Sequence, residues 1–309
     1  MDTINSATQT RRGLLKCMAW GGTGILWTVS GGVPKGLGLD GSALAAEAGG
    51  FSFVQVSDTH IGFKAEVNPD PAGTLQVALG KIAALPTAPA MIVHTGDVTH
   101  LSKPEEFATA ADLMKGARLD IHYVPGEHDV IGDDGKGFFE RFGAKGATPG
   151  GWYSWDQGGV HFVALVNVLG FTPGTGGTLG AAQLEWLEGD LKGKSASMPV
   201  VVLAHVPLWP IYPQWGWATG DAEKAFASLK RFGSVTVLNG HIHQVVQKVE
   251  GNVTFRTAMS TAFPQPAAGQ APSPGPMKVP ADKLRTVLGV RRIDYAPATG
   301  LAVADTTLA

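Results

Sequence analysis

From residue 51 onward, short apolar runs rich in β-branched or aromatic residues alternate with segments of helical spacing. Five runs end abruptly in polar side chains that can bind metal. Residues 51–56 precede Ser57-Asp58-Thr59-His60, 90–93 precede His94-Thr95-Gly96-Asp97, and 121–124 precede Pro125-Gly126-Glu127-His128-Asp129. Residues 200–203 precede Ala204-His205, and 235–238 precede Asn239-Gly240-His241-Ile242-His243. A sixth run, 160–166, ends in Asn167 without such a cluster. The spacing predicts helices over 74–85, 104–115, 181–191 and 221–232. Pro104-Glu105-Glu106 behind Ser102 predicts a helix start with Ser102 as its cap. Strands alternating with helices predict an α/β fold, stacked sheets covered by helices. In such folds ligands collect beyond the carboxyl ends of strands, so the five clusters can converge although they are scattered from Asp58 to His243.

Downstream, 244–249 and 253–257 predict a hairpin turning at Glu250-Gly251-Asn252. The six prolines of 264–280 predict an extended surface loop. In the tail from Lys283, residues 290–293 and 301–304 predict further edge strands. Residues 49–309 are expected to form one domain.

Composition narrows the chemistry. Of 309 residues only 16% are charged, with a net charge of -2, so there is no basic surface to attract nucleic acid, which is not an expected partner. The single cysteine, Cys17, excludes an intramolecular disulfide, Cys-based zinc sites and iron–sulfur clusters. Any metal must be held by His and carboxylates. Gly189-Asp190-Leu191-Lys192-Gly193-Lys194-Ser195 is one residue short of a phosphate-binding P-loop and follows a helix pattern rather than a strand, and no Gly-x-Ser-x-Gly elbow is present.

The run Thr10-Arg11-Arg12-Gly13-Leu14-Leu15-Lys16 resembles the twin-arginine export signal. Behind it, residues 17–34 carry no charge, and Ser42-Ala43-Leu44-Ala45-Ala46 suits a signal peptidase. The expected leader is 1–48, cut near residues 45–48, with the twin-arginine translocation machinery as partner and a periplasmic or other extracytoplasmic destination. Five glycines dilute the apolar run below what a membrane span of about 20 apolar residues needs, so no stable anchor is expected.

Taken in order, Asp58-x-His60, Gly96-Asp97, Gly126-Glu127-His128-Asp129, His205 and Gly240-His241-x-His243 resemble the five signature blocks of the calcineurin-like metallophosphoesterase superfamily. The resemblance covers roughly 51–262 and is greatest to the branch of bacterial cyclic-nucleotide phosphodiesterases. It implies a four-layer α/β/β/α sandwich of two mixed sheets flanked by helices, and a small phosphorylated substrate. It also implies that Asp58, His60 and His243 hold one metal ion, His205 and His241 a second, and Asp97 bridges them. Imidazole and carboxylate without thiolate suit Fe, Mn or Zn, and ions about 3.5–4 Å apart can generate a bridging hydroxide nucleophile. His128 would assist the leaving group and Asp129 would orient His128.

Glu127 departs from the pattern, because the family has a neutral Asn ligand there. As a ligand, Glu127 would add a third carboxylate and favour a harder or more highly charged ion. The alternative is a non-catalytic or regulatory metal-binding protein of the same fold. His94 and His100 flank Asp97 without a family role as ligands, leaving packing or substrate contact. His122 and His161 alternate within strands and read as structural. The loop 207–217 carries Trp209, Tyr212, Trp215 and Trp217 directly after His205. It suits a wall for a base or an apolar alcohol, a self-packed loop, or an interface.

Overall fold

Strand β3 (Phe51–Val56) shows how the layers arise from side-chain alternation. Val54 and Val56 face outward into a core shared with helices, whereas Phe53 faces inward against a second sheet. The computed structural model describes residues 49–309 and, before them, only the backbone of an antiparallel pair, β1 (Ile25–Ser30) and β2 (Val33–Gly38). The twin-arginine run 10–16 and the cleavage segment 42–46 lie outside the described residues.

In the first sheet β3 runs parallel to β4 (Met91–His94), and β4 parallel to β5 (Asp120–Tyr123). Strand β12 (Gly289–Ala296) joins antiparallel to β3, and β13 (Gly300–Thr307) antiparallel to β12, giving the order β13-β12-β3-β4-β5. The second sheet uses β6 (Tyr153–Gln157), β7 (Val160–Ala164), β8 (Val200–Leu203), β9 (Val235–Asn239), β10 (Gln247–Glu250) and β11 (Val253–Thr257). Its order is β10-β11-β9-β8-β7-β6, with β7, β8, β9 and β11 parallel and both edges antiparallel.

The inner faces meet through Phe53, Met91, Val93, Phe162, Val201, Leu203 and Leu238, all buried. Phe53 and Phe162 pack edge to face at 5.3 Å, and burying one such ring stabilises the fold by about 2–3 kcal/mol. On the outer face of the first sheet lie α1 (Pro71–Ala83), α2 (Pro104–Lys115), α3 (Lys136–Phe142) and the single turn α6 (Leu284–Val287). Helices α4 (Ala181–Lys192) and α5 (Ala222–Leu229) cover the second sheet through Leu187, Leu191, Phe226 and Leu229. The fold is therefore α/β, two mixed sheets between helical layers.

Three details differ from the sequence reading. Strand β12 is interior, because its alternate residues Ile293 and Val290 feed the cores on both faces of the sheet, and only β13 is an edge. Helix α3, bounded by Gly135 and Gly143, was not anticipated, because seven residues carry too little periodicity. Ser102 is not the cap of α2. Lys103 holds the cap position, and Glu106 in the first turn reaches back, its carboxylate accepting from the backbone N–H groups of Leu101 (2.8 Å) and Lys103 (3.4 Å). The Ser102 hydroxyl instead donates to the His128 carbonyl at 2.7 Å.

Candidate metal centre

All five polar blocks meet beyond the carboxyl ends of β3, β4, β5, β8 and β9. The chain bends sharply after leaving each sheet, and Asp58, His60, Asp97, His241 and His243 all hold positive φ, from 40° to 70°. This left-handed region is uncommon for residues other than glycine, though Asp and His enter it more readily than most. Backbone bonds lock the bends together: Asp58 N–H donates to Gly96 O and His60 N–H to Asp97 O, both at 2.9 Å. Gly126 is required here for close approach, since a Cβ would collide with the Asp97 backbone and carboxylate.

Two triads result. Asp58, His60 and His243 present donor atoms to one point, and Glu127, His205 and His241 to another. Between them, Asp97 Oδ2 lies 3.4 Å from both His60 Nε2 and His205 Nε2. Glu127 approaches His205 Nε2 at 2.8 Å and His241 Nδ1 at 2.9 Å, but without hydrogen-bond angles. Asp58 Oδ2, Glu127 Oε2, His205 Nε2 and both nitrogens of His241 are buried with no hydrogen-bond partner. They make up five of the ten such side-chain atoms among the described residues. Buried polar atoms are normally paired, so orphans on Asp58, Glu127, His205 and His241 gathered in one place suit the donor set of cations, His241 offering one of its two nitrogens. The residues present thus fit two adjacent metal ions.

The imidazoles are aimed by carbonyl groups. His205 Nδ1 lies 2.7 Å from Thr95 O, and His243 Nδ1 2.6 Å from Phe263 O. A carbonyl only accepts, so each Nδ1 carries the proton and Nε2 is left to coordinate. Burial works to lower the His205 pKa, but the Asp97 and Glu127 carboxylates outweigh it and raise it well above the ordinary value. Burial likewise works to raise the Glu127 carboxyl, and the imidazoles of His241 and His205 hold it well below the usual range.

His128 stands beside the triads, its Nδ1 2.7 Å from His100 O, its ring stacked on His100 at 4.8 Å and edge-on to His60. Its backbone N–H donates to Asp97 Oδ1 at 2.9 Å. Burial works against its protonation, but Asp97 and Glu127 raise its pKa. Asp129 does not orient the His128 ring. Both its oxygens are taken by the N–H groups of Val98, Thr99 and Gly126 and the Thr99 hydroxyl, at 2.7–3.0 Å. Asp129 therefore positions the backbone that carries Asp97, and the His100 carbonyl sets the His128 ring.

Among the other histidines, His94 packs below the site, stacked on Tyr123 and accepting from Gly96 N–H, and burial lowers its pKa to about 3. His122 stacks on Trp155 at 3.8 Å. His161 is enclosed by Asp156 and Asp190 at 2.6 and 2.7 Å.

A cleft of about 640 Å³ opens above the two triads. Val168, Leu169 and Phe171 line it from the segment after β7, and Trp215 and Trp217 from the loop after His205. The proline-rich segment is an irregular surface loop, as expected, and its Gln265, Pro274 and Pro276 also line the cleft. Gln265 Nε2 holds it there by donating to His241 O at 2.8 Å.

Two sheets whose strand ends carry paired triads joined by one carboxylate define a dimetal phosphoesterase-like centre. A family model described as calcineurin-like phosphoesterase matches residues 51–245, and the chain belongs to that family. It is 26% identical over 180 residues to a 3′,5′-cyclic-nucleotide phosphodiesterase of Nostoc sp., covering 56% of this chain and 63% of the relative. It is 26% identical over 127 residues to human acid phosphatase type 7, covering 38% of this chain and 29% of the relative. The chain thus spans less than two thirds of either curated relative. Among solved structures, a dimetal phosphatase from Danio rerio shares the fold at TM-score 0.57 and 14% identity, covering 84% of this chain and 98% of that one. GAP50, the inner-membrane-complex anchor of Plasmodium, does so at TM-score 0.58 and 13% identity, covering 84% and 85%.

Proposed function

We propose that this protein is a metal-dependent phosphohydrolase that cleaves phosphodiesters ahead of phosphomonoesters, exported by the twin-arginine route to the periplasm or another extracytoplasmic space. The observation that carries the reading is the pair of triads sharing Asp97, with unpartnered donor atoms turned toward two points. Asp58, His60 and His243 would hold one ion, Glu127, His205 and His241 the other, and Asp97 would touch both. Ions of Fe, Mn or Zn bound there supply Lewis acidity toward phosphoryl oxygens and lower the pKa of a water molecule. His128, its Nδ1 donated to His100 O, keeps Nε2 free to pass a proton to the departing alkoxide. Burial works to lower the pKa of that imidazole, but Asp97 and Glu127 outweigh it and raise it. The diester activity named for the Nostoc relative supports the diester preference.

Protein reconstituted with Mn should hydrolyse bis(p-nitrophenyl) phosphate. Asp97→Ala should lower the rate on the order of 1000-fold, equivalent to about 4 kcal/mol, and release bound metal on elemental analysis. A folded wild-type protein that retains no ion would sink the reading. Two retained ions with no ester turnover, and activity gained in Glu127→Asn, would instead make this a regulatory metal-binding protein.

A further inference from the structure

Resting on the phosphoesterase reading above, we propose that the cleft selects a phosphodiester with a single negative charge and an apolar alcohol, and rejects nucleoside polyphosphates and other multiply charged esters.

The charge argument comes first. Among the described residues that line the cleft there is no Lys and no Arg, while Asp97 and Glu127 stand at its floor. Where the family pattern has a neutral Asn, Glu127 adds a negative charge. A second phosphate group, held beyond the two triads and His128, would find no Lys or Arg to pair with, and burying an unpaired anion is strongly unfavourable. The polar wall side chains away from the triads, Gln214 and Gln265, are neutral.

The walls supply the complementary half. One is built around Phe171 and Val168, which belong to a buried apolar cluster with Val206. The other is built around Trp215 and Trp217, which pack on Ile242. Apolar surface continues to the mouth, where Ile131 and Leu169, both lining the cleft, are 48% and 42% exposed. Exposed large apolar side chains leading into an apolar cleft mark a binding surface rather than scattered surface residues. The ester oxygen therefore sits among histidines, and the alcohol's carbon skeleton runs outward between aromatic and aliphatic walls.

The test uses Mn-reconstituted protein and p-nitrophenyl esters of methyl, butyl and hexyl phosphate. kcat/KM should rise about fourfold for each methylene buried, on the order of 1000-fold from methyl to hexyl if all five are buried, while ATP neither reacts nor competes. A readout independent of turnover is tryptophan emission, since Trp215 and Trp217 face the cleft: dihexyl phosphate should shift it at concentrations where dimethyl phosphate and ATP do not. The double variant Ile131→Lys, Leu169→Lys, changed only at exposed positions, should reduce the hexyl-to-methyl ratio at least tenfold. A flat alkyl series in an active enzyme, or ATP competing as well as dihexyl phosphate, overturns the inference. Chain-length-dependent emission in a protein that turns over no ester upholds it and overturns the phosphoesterase reading instead.

Discussion

His205 and His161 are both buried histidines facing two carboxylates, and they are bonded in opposite ways. At His161 each ring nitrogen meets one carboxylate, Lys194 Nζ reaches Asp156 at 2.7 Å, and the Ser154 hydroxyl donates to Asp190 at 2.7 Å. The cluster closes on itself and pins α4 to β7. At His205 the Nδ1 proton is spent on a carbonyl, while Nε2 lies near Asp97 and Glu127 without a hydrogen bond. What separates a structural histidine from a metal ligand here is neither burial nor charged neighbours but donor capacity left over after every internal partner has been counted.

The largest effect that would break this contrast is at the first cluster. His205→Ala should lower ester hydrolysis on the order of 1000-fold, about 4 kcal/mol of barrier, and reduce metal content in elemental analysis. Metal content and turnover retained in the variant would show that His205 is structural after all. His161→Ala should do the reverse, destabilising by about 3 kcal/mol in urea unfolding through lost packing and an unpaired carboxylate, with metal content retained. The smallest effect sharpens the second cluster. Burial works to raise the Asp190 carboxyl, but His161 and Ser154 outweigh it and hold it below the ordinary 3.8. A depressed carboxylate stabilises the fold above its unfolded pKa and stops doing so as pH falls through its folded one. Asp190→Asn should therefore cost about 1 kcal/mol at pH 7, allowing for solvent screening, and the difference from wild type should shrink below pH 3.8. An unchanged difference at pH 3 would assign the loss to packing.

The strands and their polar endings were legible because a run of β-branched residues followed by His and Asp is a local signal, and each block carries it independently. Helix α2 was legible to the residue from Pro104, although its cap was misassigned: Ser102 and Glu106 both suit a helix start, and only the loop path decides which one turns back. Asp129 could not be assigned from spacing, because adjacency to His128 does not reveal that both its oxygens face the loop after β4. The contribution of the proline-rich segment was hidden for a different reason. Its Gln265 reaches the backbone carbonyl of His241, and a carbonyl is shared by every residue type, so no letter in the sequence marks the partner. The expected leader, 1–48, rests on the twin-arginine run, the uncharged stretch 17–34 and the small residues 42–46.

The left-handed bends at the strand ends have a consequence for how this centre can change over time. Five of the seven residues assigned to metal sit where φ is positive, and those positions admit Gly, Asn, Asp or His far more easily than a branched or bulky residue. The backbone thus filters the amino-acid alphabet before any metal does, and what passes the filter is mostly ligand-capable. Glu127 is outside it, in a short 3₁₀ turn (Glu127–Asp129) of ordinary conformation. The one candidate ligand position that departs from the family's pattern is therefore a place where the main chain imposes no left-handed bend, so substitution there can change the donor set without bending the chain.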